Sequence, residues 1–178
     1  MINKPTGYEE AKAAGQWTPL STGGHYLQIK NAEVRNSKKG DPMLVIEYDT
    51  HETDHQPEYF KKIWNGNYWR GTHYLMLTSQ EWAVRNLKSF ITSVENSNEG
   101  FEFDWNDKNN TESLIGKNVG GIFGEVESEY KGDRRINVEL RWFCSTEKVP
   151  TANKPEPVLL DKTEPEPEAD TSNLPFDL

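Results

Sequence analysis

One stretch of helical periodicity interrupts a chain otherwise written in short alternating runs, and this constrains the fold most. Over residues 79–94, Ala83, Val84, Leu87, Phe90, Ile91 and Val94 recur at i, i+3, i+4 spacing, which lines one face of a helix with apolar side chains. Thr78 and Glu81 have the spacing of a capping box, in which the hydroxyl accepts from a free backbone N–H and the carboxylate reaches back. Residues 96–100 end the helix at an Asn/Gly cluster.

The remaining apolar residues follow strand periods. In residues 25–34, Leu27, Ile29, Ala32 and Val34 oppose Tyr26, Gln28 and Lys30, and the slip of phase between Ile29 and Ala32 predicts a bulge. Gly and Pro punctuate residues 36–42, and residues 43–48 are almost wholly apolar, so the two runs read as a hairpin with a central second strand. Residues 51–57 read as a loop. Residues 58–64 read as a third strand, with Tyr59, Lys61 and Ile63 opposite Phe60, Lys62 and Trp64. Beyond the helix come an acidic, aromatic loop at 101–110 and a fourth strand at 118–127. A hairpin turn at 129–134 leads to a fifth strand at 135–144, where Ile136, Val138, Leu140 and Trp142 alternate with Asn137, Glu139, Arg141 and Phe143.

The order β-β-β-α-β-β predicts a mainly β chain. It is the order of an OB-fold, a five-stranded Greek-key barrel with one helix between strands 3 and 4 that plugs an end of the barrel; a five-strand sandwich is the rival topology. Residues 1–22 read as an N-terminal arm with a short helix around 8–14, pinned by Trp17 and Leu20, and residues 23–148 as the domain. From residue 149 prolines punctuate a charged run. Such a segment cannot bury enough apolar area to offset an ordering cost of roughly 1–2 kcal/mol per residue, so 149–178 is expected to be a disordered, acidic tail.

Charge limits the functional classes. Residues 151–178 hold seven acids and two lysines, −5 of the net −9, which leaves −4 for the body. Binding to nucleic acid therefore cannot rest on bulk charge and must rest on local patches. The single cysteine, Cys144, precludes an intrachain disulfide and points to a reducing compartment. No leader-like segment opens the chain and no apolar run approaches twenty residues, so a cytoplasmic protein without membrane partners is expected.

Two motifs suggest chemistry and do not support it. His51-Glu52-Thr53-Asp54-His55 spells H-E-x-x-H, the zinc-protease pattern that works when a helix puts both imidazoles on one face. Here a strand precedes it, Pro57 biases Gln56 away from helical angles, and no third ligand follows at a suitable spacing. A zinc hydrolase using His51, Glu52 and His55 is the distant alternative. Gly120-Gly121-Ile122-Phe123-Gly124 lacks both the Lys-Ser/Thr pair and the helix of a phosphate loop; glycines in a strand more often mark a bend. No nucleophile constellation and no cofactor motif stands out, so no cofactor and no enzymatic activity are expected.

The chemically suggestive set is basic and aromatic. Lys38 and Lys39 fall at the tip of the first hairpin, and Tyr130, Lys131, Arg134 and Arg135 at the tip of the last. The third run adds Lys61, Lys62 and Trp64, with Trp69 just after. In an OB-fold the loops joining strands 1–2 and 4–5 flank the ligand face. Cations that track phosphates and rings that stack unpaired bases are what single-stranded nucleic acid requires, at roughly 1–3 kcal/mol per stacked base. At the other extreme of the chain, the acidic tail ends on Leu174, Pro175 and Phe176. An apolar hook on a solvated tether suits a partner's pocket, where a buried Phe contributes roughly 1.5–3 kcal/mol. The surrounding acids would steer it to a basic rim and compete with nucleic acid for the body's cations.

"EPEPEADTSNLPFDL" resembles the acidic tails of bacterial and phage single-stranded DNA-binding proteins, which typically end in Ile/Leu-Pro-Phe. The body, from "GGHYLQIKNAEVRNSKKGDPMLVIEYD" through "LIGKNVGGIFGEVESEYKGDRRINVELRWF", is similar to small phage proteins of replication and recombination gene clusters. The resemblance covers roughly residues 7–147 and the tip; Asp177 and Leu178 follow the Phe, where the bacterial tails end on it. It implies an OB-fold, sequence-tolerant binding of single-stranded DNA, and recruitment of replication or recombination proteins through the tail. The alternative reading is an OB-like adaptor that binds proteins only. Oligomeric state is left open, a homo-oligomer being compatible with the sequence.

Overall fold

The computed structural model describes residues 3–9, 18–63 and 71–160. Five strands form one antiparallel sheet: β1 (Gly23–Asn36), β2 (Pro42–Thr50), β3 (Thr72–Met76), β4 (Asn118–Tyr130) and β5 (Asp133–Cys144), in the spatial order β3-β2-β1-β4-β5. A short helix α1 (Tyr59–Ile63) lies between β2 and β3, and a longer helix α2 (Glu81–Ser97) between β3 and β4. The chain is thus mainly β. Among the described residues, no helix is long and apolar enough to cross a membrane.

β1 is the spine. Its first half pairs with β4 (Gly23 opposite Phe123, Gln28 opposite Asn118) and its second half with β2 alone (Val34 opposite Leu44, Asn36 opposite Pro42). The register shifts between Ile29 and Asn31, where the alternation slips phase, so that His25, Leu27 and Ile29 and then Ala32 all face the core. α2 packs across β3, β4 and β5. Its Phe90 and Val94 are fully buried, with the Phe90 ring 4.8 Å from Phe143; a side chain buried to this degree contributes roughly 1.5–3 kcal/mol. Asn98 ties the end of α2 to β4. Its amide donates to the carbonyls of Val94 and Asn118 at 2.7 and 2.8 Å, and its side-chain oxygen accepts the Asn118 N–H at 3.0 Å.

Three expectations are corrected. The expected strand at 58–64 is not found over its described part: Tyr59–Ile63 is helical, and the third strand is Thr72–Met76. The cause is tertiary. The buried Asp49 carboxylate accepts the N–H groups of Phe60 and Lys61 at 2.9 and 3.1 Å, and Thr50 Oγ1 accepts that of Tyr59 at 2.9 Å. The free donors of the first helical turn thereby find acceptors from β2. Burial pushes the Asp49 carboxyl up, and the N–H groups of Phe60, Lys61 and Thr50 only partly offset it. Second, Thr78 and Glu81 form no capping box. Gln80 is the N-cap, without a side-chain bond, and Thr78 Oγ1 is buried with no partner among the described residues.

Third, the chain does not leave the body at residue 149. A 3₁₀ turn (Thr146–Thr151) places Val149 against the sheet, and the chain then follows β4. A Cβ on Gly24 would lie 2.4 Å from the Val149 carbonyl oxygen, and one on Gly124 2.5 Å from Pro155 Cγ, so only glycine admits this close approach. Val158 pairs in parallel with Val126: its N–H donates to Glu125 O at 3.0 Å, and its carbonyl accepts the Glu127 N–H at 2.8 Å.

Candidate nucleic-acid interface

The strand register places the two cationic hairpin tips at opposite ends of the spine. The β1–β2 turn, with Lys38 and Lys39, follows the C-terminal end of β1. β4 runs antiparallel to β1 and continues from Phe123, opposite Gly23, for seven further residues to the other tip at Tyr130. The expected convergence of the two tips on one groove is not what the sheet builds.

The first tip opens beside α2. Lys38 and Lys39 line a shallow hollow of about 400 Å³ with Met76, Thr78, Gln80 and Trp82. Asp41 also lines it, but neither lysine has an ion-pair partner within 4.0 Å among the described residues. Trp82 is 52% exposed, and its indole N–H donates to Gln80 Oε1 at 2.6 Å. The hollow adjoins the outer face of β1–β2–β3. Residues directly opposite one another share a face, so Arg35, Met43 and Met76 form one row there, and Glu33, Val45 and Tyr74 the next. Tyr74 is 56% exposed. Arg35 is hydrogen-bonded to Glu33, and that contact, with the charge of Glu33, holds its guanidinium above the usual range.

The second tip is a two-residue turn, with Lys131 at φ 53° and Gly132 at φ 85°, the double positive φ of a type I′ hairpin. Tyr130 is well exposed, and the Lys131 ammonium lies 5.3 Å from the centre of its ring. The arginines are matched by acids: Arg134 lies 3.8 Å from Glu127 and 3.7 Å from Glu129, and Arg135 3.9 Å from Asp133. Lys61 and Lys62 belong to α1 rather than a strand; Lys61 pairs with Glu58 at 2.7 Å and Lys62 donates to the Pro57 carbonyl at 2.7 Å. Trp64 and Trp69, like Trp17 of the arm and Leu174, Pro175 and Phe176 of the tail, lie outside the described residues.

Tyr74 and Trp82 are therefore interface candidates that sequence reasoning missed, whereas Arg35 beside them is held by Glu33. Trp82 carried a readable signal, since it falls off the apolar stripe of α2. Between β3 and β5, the two edges of the sheet, lies a separate cleft of about 810 Å³ lined mainly by apolar side chains, among them Tyr48, Phe60, Ile136, Val138 and Leu140. His73 borders it, and burial holds its imidazole below the ordinary range. Burial likewise pushes the Cys144 thiol up, against a smaller pull from Lys148, which is the opposite of an activated nucleophile. The H-E-x-x-H letters fall on turns, not a helix, so His51 and His55 do not share a helical face. Among the described residues, the set able to hold a metal ion is His25, Asp54 and His55.

No protein-family model matches the chain, and no curated protein matches its sequence.

Proposed function

We propose that this chain binds single-stranded DNA without sequence preference, as a non-enzymatic protein of phage replication or recombination. On this reading the acidic tail recruits partner proteins and competes with DNA. The observation that carries it is the first tip: Lys38 and Lys39, without acid partners among the described residues, share an open hollow with the exposed Trp82 and adjoin a sheet face bearing the exposed Tyr74. Cations beside flat rings form the combination on which a single strand can stack its bases and lay its phosphates. The strand order β3-β2-β1-β4-β5 supports an OB-like barrel, partly open between β3 and β5. On that reading the outer side of β2 and β3 is the ligand face.

The test is quenching of tryptophan fluorescence by oligo-dT, followed as salt is raised. Quenching that salt reverses is the expected result; its absence at low salt sinks the reading. A second reading, an adaptor that binds proteins only, is favoured by the apolar β3–β5 cleft with its 61%-exposed Ile136.

A further inference from the structure

Where β1 begins, four polar side chains converge against the loop after β2. The His25 and Asp54 side chains are fully buried, at 0% exposure. His55 is 57% exposed and stacks on His25, with ring centroids 4.5 Å apart and planes 27° apart. Ser21 closes the group. Buried polar atoms are costly unless each donor faces an acceptor, and here that balance turns on which ring nitrogens carry hydrogen.

Asp54 Oδ2 accepts the Tyr26 N–H at 2.8 Å and Oδ1 the Gln56 N–H at 2.8 Å. His25 Nε2 lies 2.9 Å from the Ser21 carbonyl oxygen and 3.1 Å from Ser21 Oγ, so its hydrogen has an acceptor on that side. In the Nε2–H tautomer Nδ1 offers its lone pair toward Asp54 Oδ1, 3.0 Å away. His55 Nε2 is 2.8 Å from Ser21 Oγ, a hydroxyl that can donate or accept, and its Nδ1 is 3.4 Å from the same Asp54 oxygen. Two imidazole nitrogens and a carboxylate oxygen thus border one point, which protons or a metal ion can fill.

We propose that His25 Nδ1, Asp54 Oδ1 and His55 Nδ1 bind a divalent ion of the zinc class. The ligand atoms of the three residues lie within 4.8 Å of one another. Metal bonds of about 2.0–2.1 Å in a tetrahedral site put neighbouring ligands about 3.3 Å apart, and the two separations of 3.0 and 3.4 Å bracket that value. Two imidazole nitrogens with one carboxylate oxygen suit zinc, cobalt or nickel better than calcium or magnesium. The supporting shell is in place: His25 gives its other N–H to a backbone carbonyl, and two backbone N–H groups orient the carboxylate. Imidazole lone pairs lie in the ring plane, so the exposed His55 turns to aim Nδ1 at the ion while buried His25 stays fixed. The ion would staple the start of β1 to the loop after β2.

Two neighbouring readings of these residues are set aside by this one. Ser21 Oγ lies 3.1 Å from His25 Nε2, as in a nucleophile triad, but a metal on Nδ1 puts the ring hydrogen on Nε2, which then cannot take the hydroxyl proton. His51 is engaged locally, with Nδ1 2.8 Å from Thr53 Oγ1, and does not belong to the set.

The experiment titrates the metal-free full chain with Zn²⁺ by calorimetry and with Co²⁺ by visible absorption, and records melting with and without Zn²⁺, for the wild type, His55→Ala and His51→Ala. Both positions avoid the buried core. The wild type and His51→Ala are expected to take up one ion per chain and to melt higher with zinc. His55→Ala should bind about tenfold more weakly or worse and lose the zinc-dependent rise. Failure of the wild type to take up zinc, equal binding by His55→Ala, or loss of binding in His51→Ala alone would each overturn the proposal.

Discussion

The two hairpin tips carry similar letters and different electrostatics. At the β1–β2 turn the lysines have no acid within pairing distance among the described residues, and an exposed tryptophan stands beside them. At the β4–β5 turn Glu127, Glu129 and Asp133 lie 3.7–3.9 Å from the arginines. The chain from Val158 to Leu160 also runs parallel to β4 toward that second tip, where the Leu160 N–H donates to Glu127 Oε2 at 3.0 Å. A polyanion meeting the first tip displaces only counterions, whereas at the second it must compete with carboxylates already in place. Basic residues counted along a sequence are thus a poor measure of available charge.

The largest effect should come from the rings at the first tip. Trp82→Ala and Tyr74→Ala should each weaken binding of oligo-dT by about 5- to 150-fold, the range set by roughly 1–3 kcal/mol of lost stacking. Fluorescence anisotropy of a labelled oligonucleotide measures this without relying on tryptophan emission. Both side chains are more than half exposed, so the melting temperature should hardly move. Unchanged affinity in both variants would dissolve the contrast between the tips.

Next in size is the lysine pair. Replacing Lys38 and Lys39 together by alanine should lower the slope of log K against log salt by about 1.4, at roughly 0.7 per phosphate contact on a single strand. Deleting residues 161–178 removes six acids and one lysine, a net −5, and should tighten binding several-fold at low salt, fading as salt screens the competition. The cut belongs at 161. A cut at 151 would also strip Pro155 and Val158 from the sheet and confuse competition with lost stability.

The sheet was legible where burial alone decides conformation. The phase slip at Ile29–Ala32 marked the bulge because a one-residue shift would otherwise turn the core face outward; the alternation from Ile136 to Trp142 marked β5 but not its faces, since a register shift opposite Ile122 and Phe123 leaves Trp142 exposed and buries Phe143. Legibility failed where a distant group decides. Nothing in that run reveals that the Asp49 carboxylate will satisfy the N–H groups of Phe60 and Lys61, so Tyr59–Ile63, which alternates like a strand, folds as a helix. The prolines at 150, 155 and 157 read as a free tail because the matching track, Gly24 and Gly124, lies elsewhere in the chain. The interface suffered similarly. Lys131, Arg134 and Arg135 were visible as cations, while the cross-strand pairing that sets Glu129 opposite Arg134 emerges only with the register.

The smallest expected effect discriminates best between the tips. Arg134→Ala removes one formal charge but also relieves Glu127 and Glu129 of their partner, so the local field changes in the same direction as in Lys39→Ala. If formal charge governed binding, the two variants would weaken oligo-dT equally. If contact with phosphate governs it, Lys39→Ala should reduce the salt slope while Arg134→Ala leaves it within error, with only a slight loss of affinity from the added negative field. Glu129→Gln then provides the converse. It loosens the hold on Arg134 without deleting the guanidinium, and a steeper slope in that variant would show that the second tip is withheld from DNA by its own acids rather than misplaced for it.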